Sequence, residues 1–561
     1  MAKYKPWLVC CFTLLTVVCA VAFICLCITA LTDGGCPSGG FRRAAVAADS
    51  ELCSDIGRSM LEQGGSAVDG TIAALLCTSV VNPQSMGIGG GSIFTIKDKK
   101  GNIKVYNFRE VVPRSFNPDL LKECPTKFAF SKGSQWIGVP GELRGYEAVH
   151  KQYGKLPWAK LFEPTISLAR EGIPLPEYLG DLLNRHVVKK SMEGSTLCSL
   201  QIICNKNKTV LSSGDILKFP KLAETMETIA EQGADAFYTG KIGHDLIQDI
   251  QEAGGTLSMA DLKSFQVRVV DAWTVPLGNI QMYIAPPPAG GALLAFILGL
   301  LKEFSMSPDF QHGDRKTQMY HHYLEAVKFA NGQKRNINDP VFNNRRSADH
   351  LIDPSFTKHI RGLISSTRTF NNSYYNNIKP TSDQMGTTHV SVLDEDGLVV
   401  SATSTINQLF GGSVYSQRTG IILNNQLADF CGRADTLRAG EQPPSSMTPV
   451  ILESKSGSIL VIGGSGGSLI TSAVALSIIN HLWLGMNLED AIAAPIIFVD
   501  ANNNVNFEPG FNKSLENSLI GLGHKRGGWE YFLNVVNAVE KEKGCIVAVS
   551  DKRKRGKSSG Y

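Results

Sequence analysis

Charge of one sign is what this chain most lacks. Its 561 residues carry 55 basic and 51 acidic side chains, a formal net charge of +4, too little for a nucleic-acid partner held by its phosphates. It has no His-Glu-x-x-His pattern. The adjacent pair His321-His322 diverges around a helix, so no metal is expected. The run Gly463-Gly464-Ser465-Gly466-Gly467 lacks the Lys-Ser/Thr of a P-loop and fits dinucleotide spacing poorly; a phosphate cradle is the weaker reading, and no cofactor is expected. No repeat of fixed period stands out. Charged residues are scarce at 19%, while hydrophobic residues reach 43%, which excludes wholesale disorder and suits one large core or two intimate halves.

Long apolar runs are also few. Trp7 to Leu31 is uncharged over 25 residues, longer than the core of a signal peptide (about 7 to 15 residues) and long enough for a bilayer of about 30 Å. We read residues 7–31 as one membrane anchor, with a cytoplasmic tail over 1–6 carrying Lys3 and Lys5 and a stalk over 32–43. Arg42 and Arg43 weaken that charge asymmetry. The alternative is a cleaved signal sequence ending near Ala20-Val21-Ala22. The anchor reading makes a type II plasma-membrane protein with its globular part outside. Five of the thirteen cysteines (Cys10, Cys11, Cys19, Cys25, Cys27) fall in the anchor; the other eight face an oxidising compartment, and sequence alone does not fix their connectivity. Sequons at Asn207, Asn371 and Asn512 are expected to carry at least one glycan. The basic cluster Lys552-Arg553-Lys554-Arg555 reads as a solvated surface segment.

Apolar periodicity organises the rest. Asp49 to Gln63 and Val68 to Val81 read as two helices separated by Gly64-Gly65. Ser92 to Lys97 and Ile103 to Arg109 read as a hairpin that leaves Arg109 at a strand end. Residues 141–339 read as mostly helical cladding, with Ala292 to Leu301 a buried helix too short to span a bilayer. Arg361 to Met385 has no helical period and reads as an exposed loop. From Thr387 the pattern changes: His389, Val390, Ser391 and Val392 alternate, Asp394-Glu395-Asp396-Gly397 turns, and Leu398 to Thr405 returns. Later, Ile459 to Ile462 runs through the Gly-rich turn into an apolar helix over Leu469 to Leu484. Strand pairs with helices in both halves argue for mixed α/β layers.

A threonine heading a strand is a weak nucleophile unless a base takes its proton, and a free α-amine, with a reference pKa of about 8, is such a base. Thr387 gains that amine only if Gly386-Thr387 is cut. Thr388 is the adjacent rival, but a one-residue shift in a strand points its side chain to the other face. Gly386 to Val392 with Ser401 to Asn407 resembles the start of the small subunit of γ-glutamyltransferases. Asn107-Phe108-Arg109-Glu110, Asn424-Asn425-Gln426, Pro444-Ser445-Ser446-Met447, Gly463 to Gly467 and Ser558 to Tyr561 resemble further elements of that family in its order, from about Ala44 to the end. Val414 to Gly420 and Phe532 to Val536 look most like its leukotriene-C4-hydrolysing vertebrate branch.

The resemblance implies an αββα sandwich of the N-terminal nucleophile hydrolases, split into a large subunit, 44–386, and a small catalytic subunit, 387–561. It implies Thr387 as nucleophile with Thr405 orienting it, and Gly466 and Gly467 aiming backbone N–H groups at an oxyanion. Arg109, Ser445 and Ser446 would hold the α-carboxylate of a γ-glutamyl group; Asn407, Gln426 and Asp429 would hold its ammonium. Cys53 with Cys77, and Cys198 with Cys204, are the implied disulfides. Implied donors are glutathione, its S-conjugates and leukotriene C4; acceptors are water, amino acids or dipeptides. Two positions depart from the common animal pattern: Gln426 stands where an acid is usual, and Leu409 where the glutathione-preferring enzyme has tyrosine. The rivals are a catalytically silent surface protein of the same fold and a different amide acylase, whose pocket would not need these charges.

Overall fold

Two antiparallel sheets lie face to face at the centre, because their strands alternate side chains between an inner face and an outer, helix-covered face. The computed structural model describes residues 36–37, 39–124, 132–343, 348–377, 386–528 and 535–561. The expected tail and anchor, Pro380 and Phe532-Leu533-Asn534 lie outside these. Among the described residues no helix is long and apolar enough to cross a membrane.

In chain order the strands of the two sheets are β1 (Ala45–Ala47), β2 (Gly91–Lys97), β3 (Ile103–Asn107), β4 (Arg268–Asp271), β5 (Trp273–Leu277), β6 (Ile280–Ile284), β7 (Thr387–Leu393), β8 (Val399–Thr405), β9 (Val450–Ser454), β10 (Ile459–Ser465), β11 (Val535–Glu542), β12 (Cys545–Val549) and β13 (Ser559–Gly560). The first sheet has the order β13-β1-β7-β8-β2-β3-β4 and the second β12-β11-β10-β9-β6-β5. Between them Ala45, Ala47, Leu393 and Val399 meet Ile451, Val461, Val539 and Ile546. Outside the first sheet, Val390, Val392, Val400 and Ala402 share a core with helices α1 (Glu51–Glu62) and α2 (Ala67–Val81). Outside the second, Val450, Leu452, Leu460 and Ile462 share one with α3 (Gly291–Leu301), α4 (Gly313–Gln333) and α5 (Ile470–Ile478). The layers are therefore helix, sheet, sheet, helix.

Local chemistry sets the element ends. Ser66 and Asp69 close a capping box at the start of α2. In the β7–β8 turn, the Asp394 carboxylate accepts the Leu398 N–H at 2.9 Å and the Ala67 N–H at 2.8 Å, tying the hairpin to α2.

Three expectations need correction. The helical cladding over 141–339 also supplies β4, β5 and β6, which complete both sheets. Their signals are poor: β5 contains Pro276, tolerated because β5 lies at a sheet edge, and Val269 and Val270 of β4 are exposed. The described end of the stalk is no free spacer: Phe41 and Ile546 exchange backbone hydrogen bonds, and the Arg42, Arg43 and Ala44 amides donate to the Tyr561 carbonyl. The basic cluster is not wholly solvated, since Lys554 is buried. The structure pairs Cys53 with Cys77 and Cys198 with Cys204. It also pairs the cysteines the sequence left open, Cys36 with Cys545 and Cys124 with Cys431.

Candidate active site

The register of β7 on β8 sets Thr387 directly across from Thr405, and Thr405 across from Gly91 at the head of β2. Thr387, His389 and Ser391 point between the sheets. Thr388 points the other way and donates to Asp49 Oδ2 at 2.7 Å, so strand parity separates the two threonines.

Thr405 Oγ1 lies 3.2 Å from Thr387 Oγ1 and donates to the Gly386 carbonyl at 2.5 Å. It also accepts the Asn407 N–H at 2.9 Å. A single hydroxyl thus touches both the candidate nucleophile and the carbonyl that precedes it. Gly386 allows this approach, since a Cβ there would sit 2.5 Å from the Asn407 carbonyl.

Arg109, just past β3, is fully buried. Its Nε donates to the Pro443 carbonyl at 2.8 Å, and one Nη donates to the Pro444 carbonyl at 2.8 Å and to Asp429 Oδ2 at 2.5 Å. Gln426 and Asp429 lie on a short 3₁₀ turn, Gln426–Phe430, where Gln426 Nε2 donates to Asp429 Oδ2 at 2.8 Å. Burial pushes the Asp429 carboxyl up against the opposing pull of Arg109. Arg109 and Asp429 thus neutralise each other directly, as two buried opposite charges must. Two atoms are left over. Arg109 Nη1 and Gln426 Oε1 are buried and find no hydrogen-bond partner among the described residues.

A cavity of about 480 Å³ is lined by Thr387, Thr405, Asn407, Arg109, Gln426, Asp429, Ser445, Ser446 and Gly467. Asn407 adopts φ +74°, and its Nδ2 donates to the Asn425 carbonyl at 3.0 Å. Ser445 Oγ accepts the Met447 N–H at 3.0 Å. Gly466 immediately precedes Gly467, and both hold positive φ, 119° and 63°. Leu409 is buried in the core beneath the helical layer of the first sheet. Asn207, Asn371 and Asn512 are exposed.

Sequence reasoning missed several buried polar groups behind the cavity. Lys554 Nζ donates to Asp49 Oδ2 at 2.7 Å, the Thr387 carbonyl at 2.7 Å and Ser465 Oγ at 2.9 Å. No signal sets it apart from the lysine and arginines around it. Glu110 follows Arg109; burial raises it to about 8, opposed by Arg109. Glu142 is raised by burial to about 7 and accepts from Ser92 Oγ at 2.7 Å and Ser404 Oγ at 3.0 Å. His389 is lowered by burial to about 3, with Thr403 and Ser391 hydroxyls on its two nitrogens.

His321, Glu325 and His524 stand close enough to ligate a metal. The hydrogen bonds of the two histidines form a chain instead: Lys328 Nζ is 2.9 Å from His524 Nδ1, His524 Nε2 is 2.8 Å from His321 Nδ1, and His321 Nε2 is 2.7 Å from the Ser365 carbonyl. The terminal carbonyl only accepts, which orients every donor along the chain. A cation would have to displace this order beside an ammonium group.

A threonine heading a strand between two helix-backed sheets is the arrangement of the N-terminal nucleophile hydrolase fold. The same fold appears in cephalosporin acylase from Bacillus halodurans, at TM-score 0.82 and 22% identity over 93% of this chain and 96% of that one. The family described as gamma-glutamyltranspeptidase matches residues 53–561. Glutathione hydrolase 5 proenzyme of Rattus norvegicus is 48% identical over 543 residues, and that of Homo sapiens 46% over 554, each covering 94% of both chains. The chain belongs to the gamma-glutamyltranspeptidase family.

Proposed function

We propose that this chain is a type II cell-surface enzyme that cuts itself between Gly386 and Thr387. It then hydrolyses or transfers γ-glutamyl groups from glutathione, glutathione S-conjugates and leukotriene C4, the last giving leukotriene D4. One observation carries the reading: an unpartnered Arg109 N–H and an unpartnered Gln426 carbonyl oxygen lie among the residues of the cavity that holds Thr387. An α-carboxylate needs the first and an α-ammonium the second.

In the precursor, Thr387 Oγ1 attacks the Gly386 carbonyl carbon. Thr405, donating to that carbonyl oxygen, stabilises the charge that develops there. Collapse breaks the C–N bond, the nitrogen takes the hydroxyl proton, and an ester joins Gly386 to Thr387. Water hydrolyses it, freeing a Gly386 carboxylate and a Thr387 α-amine. In the mature enzyme that amine takes the Thr387 hydroxyl proton as Oγ1 attacks the γ-carbonyl of the donor, then passes it to the departing amine. Gly466 and Gly467 supply the oxyanion donors. Water or an acceptor amine resolves the γ-glutamyl ester.

The broader donor range rests on the rest of the cavity wall. Leu293, Phe430 and Ile470 suit a lipid or aromatic S-substituent, and Lys334, Arg335 and Arg433 suit additional carboxylates. The exposed sequons fit a secretory route, and the expected anchor fits surface retention.

Denaturing electrophoresis under reducing conditions, with N-terminal sequencing of any small fragment, tests the reading. A fragment starting Thr387-Thr388-His389 supports it; a chain that stays whole and inactive refutes it. In the cleaved protein Arg109→Leu should raise KM for a γ-glutamyl anilide by about 100-fold or more, the loss of a charge-assisted pair.

A further inference from the structure

Asp429 and Gln426 sit on a 3₁₀ turn of only five residues, Gln426–Phe430, and so short an element does not hold its own position. Three things fix it. Gln426 N–H donates to Asn424 Oδ1 at 2.9 Å. Leu427, Ala428 and Phe430 pack with Val112, Leu120 and Trp136 in a small satellite core. Immediately after the turn, Cys431 is bonded to Cys124, 307 positions away in sequence. Cys431 itself lines the cavity with Asp429. Both bridges left unassigned by the sequence, Cys124–Cys431 and Cys36–Cys545, have one cysteine on each side of Gly386-Thr387. Cys53–Cys77 and Cys198–Cys204 each lie wholly before it.

We infer that Cys124–Cys431 is a positioning bridge of the donor pocket, and that with Cys36–Cys545 it keeps the two products of cleavage in one covalent unit. The second half rests on the proposed cut at Gly386-Thr387. The bridge acts through Asp429: it anchors the turn whose carboxylate pairs with Arg109 and whose Gln426 oxygen is left open to a ligand. Loosening that anchor weakens binding of the γ-glutamyl head in ground state and transition state alike, while Thr387 and Thr405, held by the β7–β8 register, keep their geometry. KM rises and kcat does not follow. Cys36–Cys545 lies at the far edge strand β12, outside the cavity wall, and serves as the control.

Two measurements test this. The purified full chain is run on denaturing gels without and with reductant, alongside peptide mapping of the non-reduced protein. The expected result is one full-mass band that reductant resolves into two, with Cys124–Cys431 and Cys36–Cys545 linked peptides. Two bands without reductant, or absence of the linked peptides, overturns the inference. One band under both conditions overturns the cleavage reading, and with it the covalent link between two chains. Steady-state kinetics with a γ-glutamyl anilide then compares the double variant Cys124→Ala/Cys431→Ala with Cys36→Ala/Cys545→Ala. The first should raise KM about tenfold with kcat changed less than about twofold; the second should leave both unchanged. An unchanged KM in the first, or a fall in kcat alone, overturns the positioning role. If the double variant does not fold, stepwise phosphine reduction of the wild-type protein, with peptide mapping of which bridge has opened, replaces it: KM should rise with loss of Cys124–Cys431 and not with loss of Cys36–Cys545, and the reverse order overturns the positioning role.

Discussion

Substituting Lys554 by Met should move the pH dependence of catalysis, because this buried ammonium sits beside the group proposed as the base. Its Nζ lies 2.7 Å from the Thr387 carbonyl oxygen. Within one residue the backbone N and O are at most about 3.5 Å apart, so the ammonium is within about 6 Å of the nitrogen that cleavage turns into an α-amine. At an effective dielectric constant of about 20, two like charges at about 6 Å repel by about 2.8 kcal/mol, or about two pKa units. Asp49, 2.7 Å from Lys554, cancels part of that in the intact protein. In the variant the cation is gone and the Asp49 carboxylate stands uncompensated, and both changes favour the protonated amine. The amine pKa should rise by one to two units from a value below its reference of about 8. A protonated amine takes no proton, so kcat/KM at pH 7 should fall by about 10- to 100-fold and recover toward pH 9. Stranding Asp49 also costs about 3 to 5 kcal/mol of stability, so folded protein must be verified by its melting transition, and cleavage scored separately on a gel. A pH profile lowered uniformly, with its acid limb unmoved, would refute the reasoning and leave Lys554 a structural residue.

Other perturbations test neighbouring parts of the site. Gly463→Ala puts a Cβ about 2.2 Å from the His389 ring, which Thr403 and Ser391 hold in place; a loss of about 3 kcal/mol is expected as a lowered urea midpoint, and a neutral result would mean the ring has room to move. Glu110→Gln tests the raised carboxyl. A folded pKa of about 8 against an unfolded value near 4.3 gives the wild-type protein stability that is complete at acid pH and lost as pH rises through about 8. The variant should gain on wild type by about 1.4 kcal/mol per pH unit between pH 5 and 8, read from paired denaturation midpoints, and a constant difference would contradict the shift. Thr405→Val, nearly isosteric but without the hydroxyl, should slow self-cleavage by about 100-fold in a time course of precursor conversion, since the bond to the Gly386 carbonyl disappears. Unaltered kinetics would remove Thr405 from that step.

Elements with strong local signals were legible in the sequence. The β7–β8 hairpin shows period-two alternation around an Asp-Gly turn, and α1 stops at Gly64-Gly65 as glycines require. Thr387 follows from that hairpin together with the family resemblance. Less visible were features set by contact between distant segments. The Arg109–Asp429 pair joins residues 320 apart, and Lys554 reaches Thr387 across 167; neither has a local pattern. Strand β5 hides behind its proline, and the stalk is held by backbone bonds that any side chains would allow. The Gln426–Phe430 turn carries two of the expected binding residues on too few positions to show a period.

The order of strands in the two sheets has a thermodynamic consequence. In the first sheet the pairs β13–β1, β1–β7 and β8–β2, and in the second β9–β6, each join a strand from before Gly386 to one from after it. Neither segment can hold a complete sheet alone, and each would end in open strand edges. The proposed cleavage would therefore leave a single cooperative unit. Scanning calorimetry of the matured protein should show one endotherm, with both segments melting together and a calorimetric enthalpy close to the van't Hoff value.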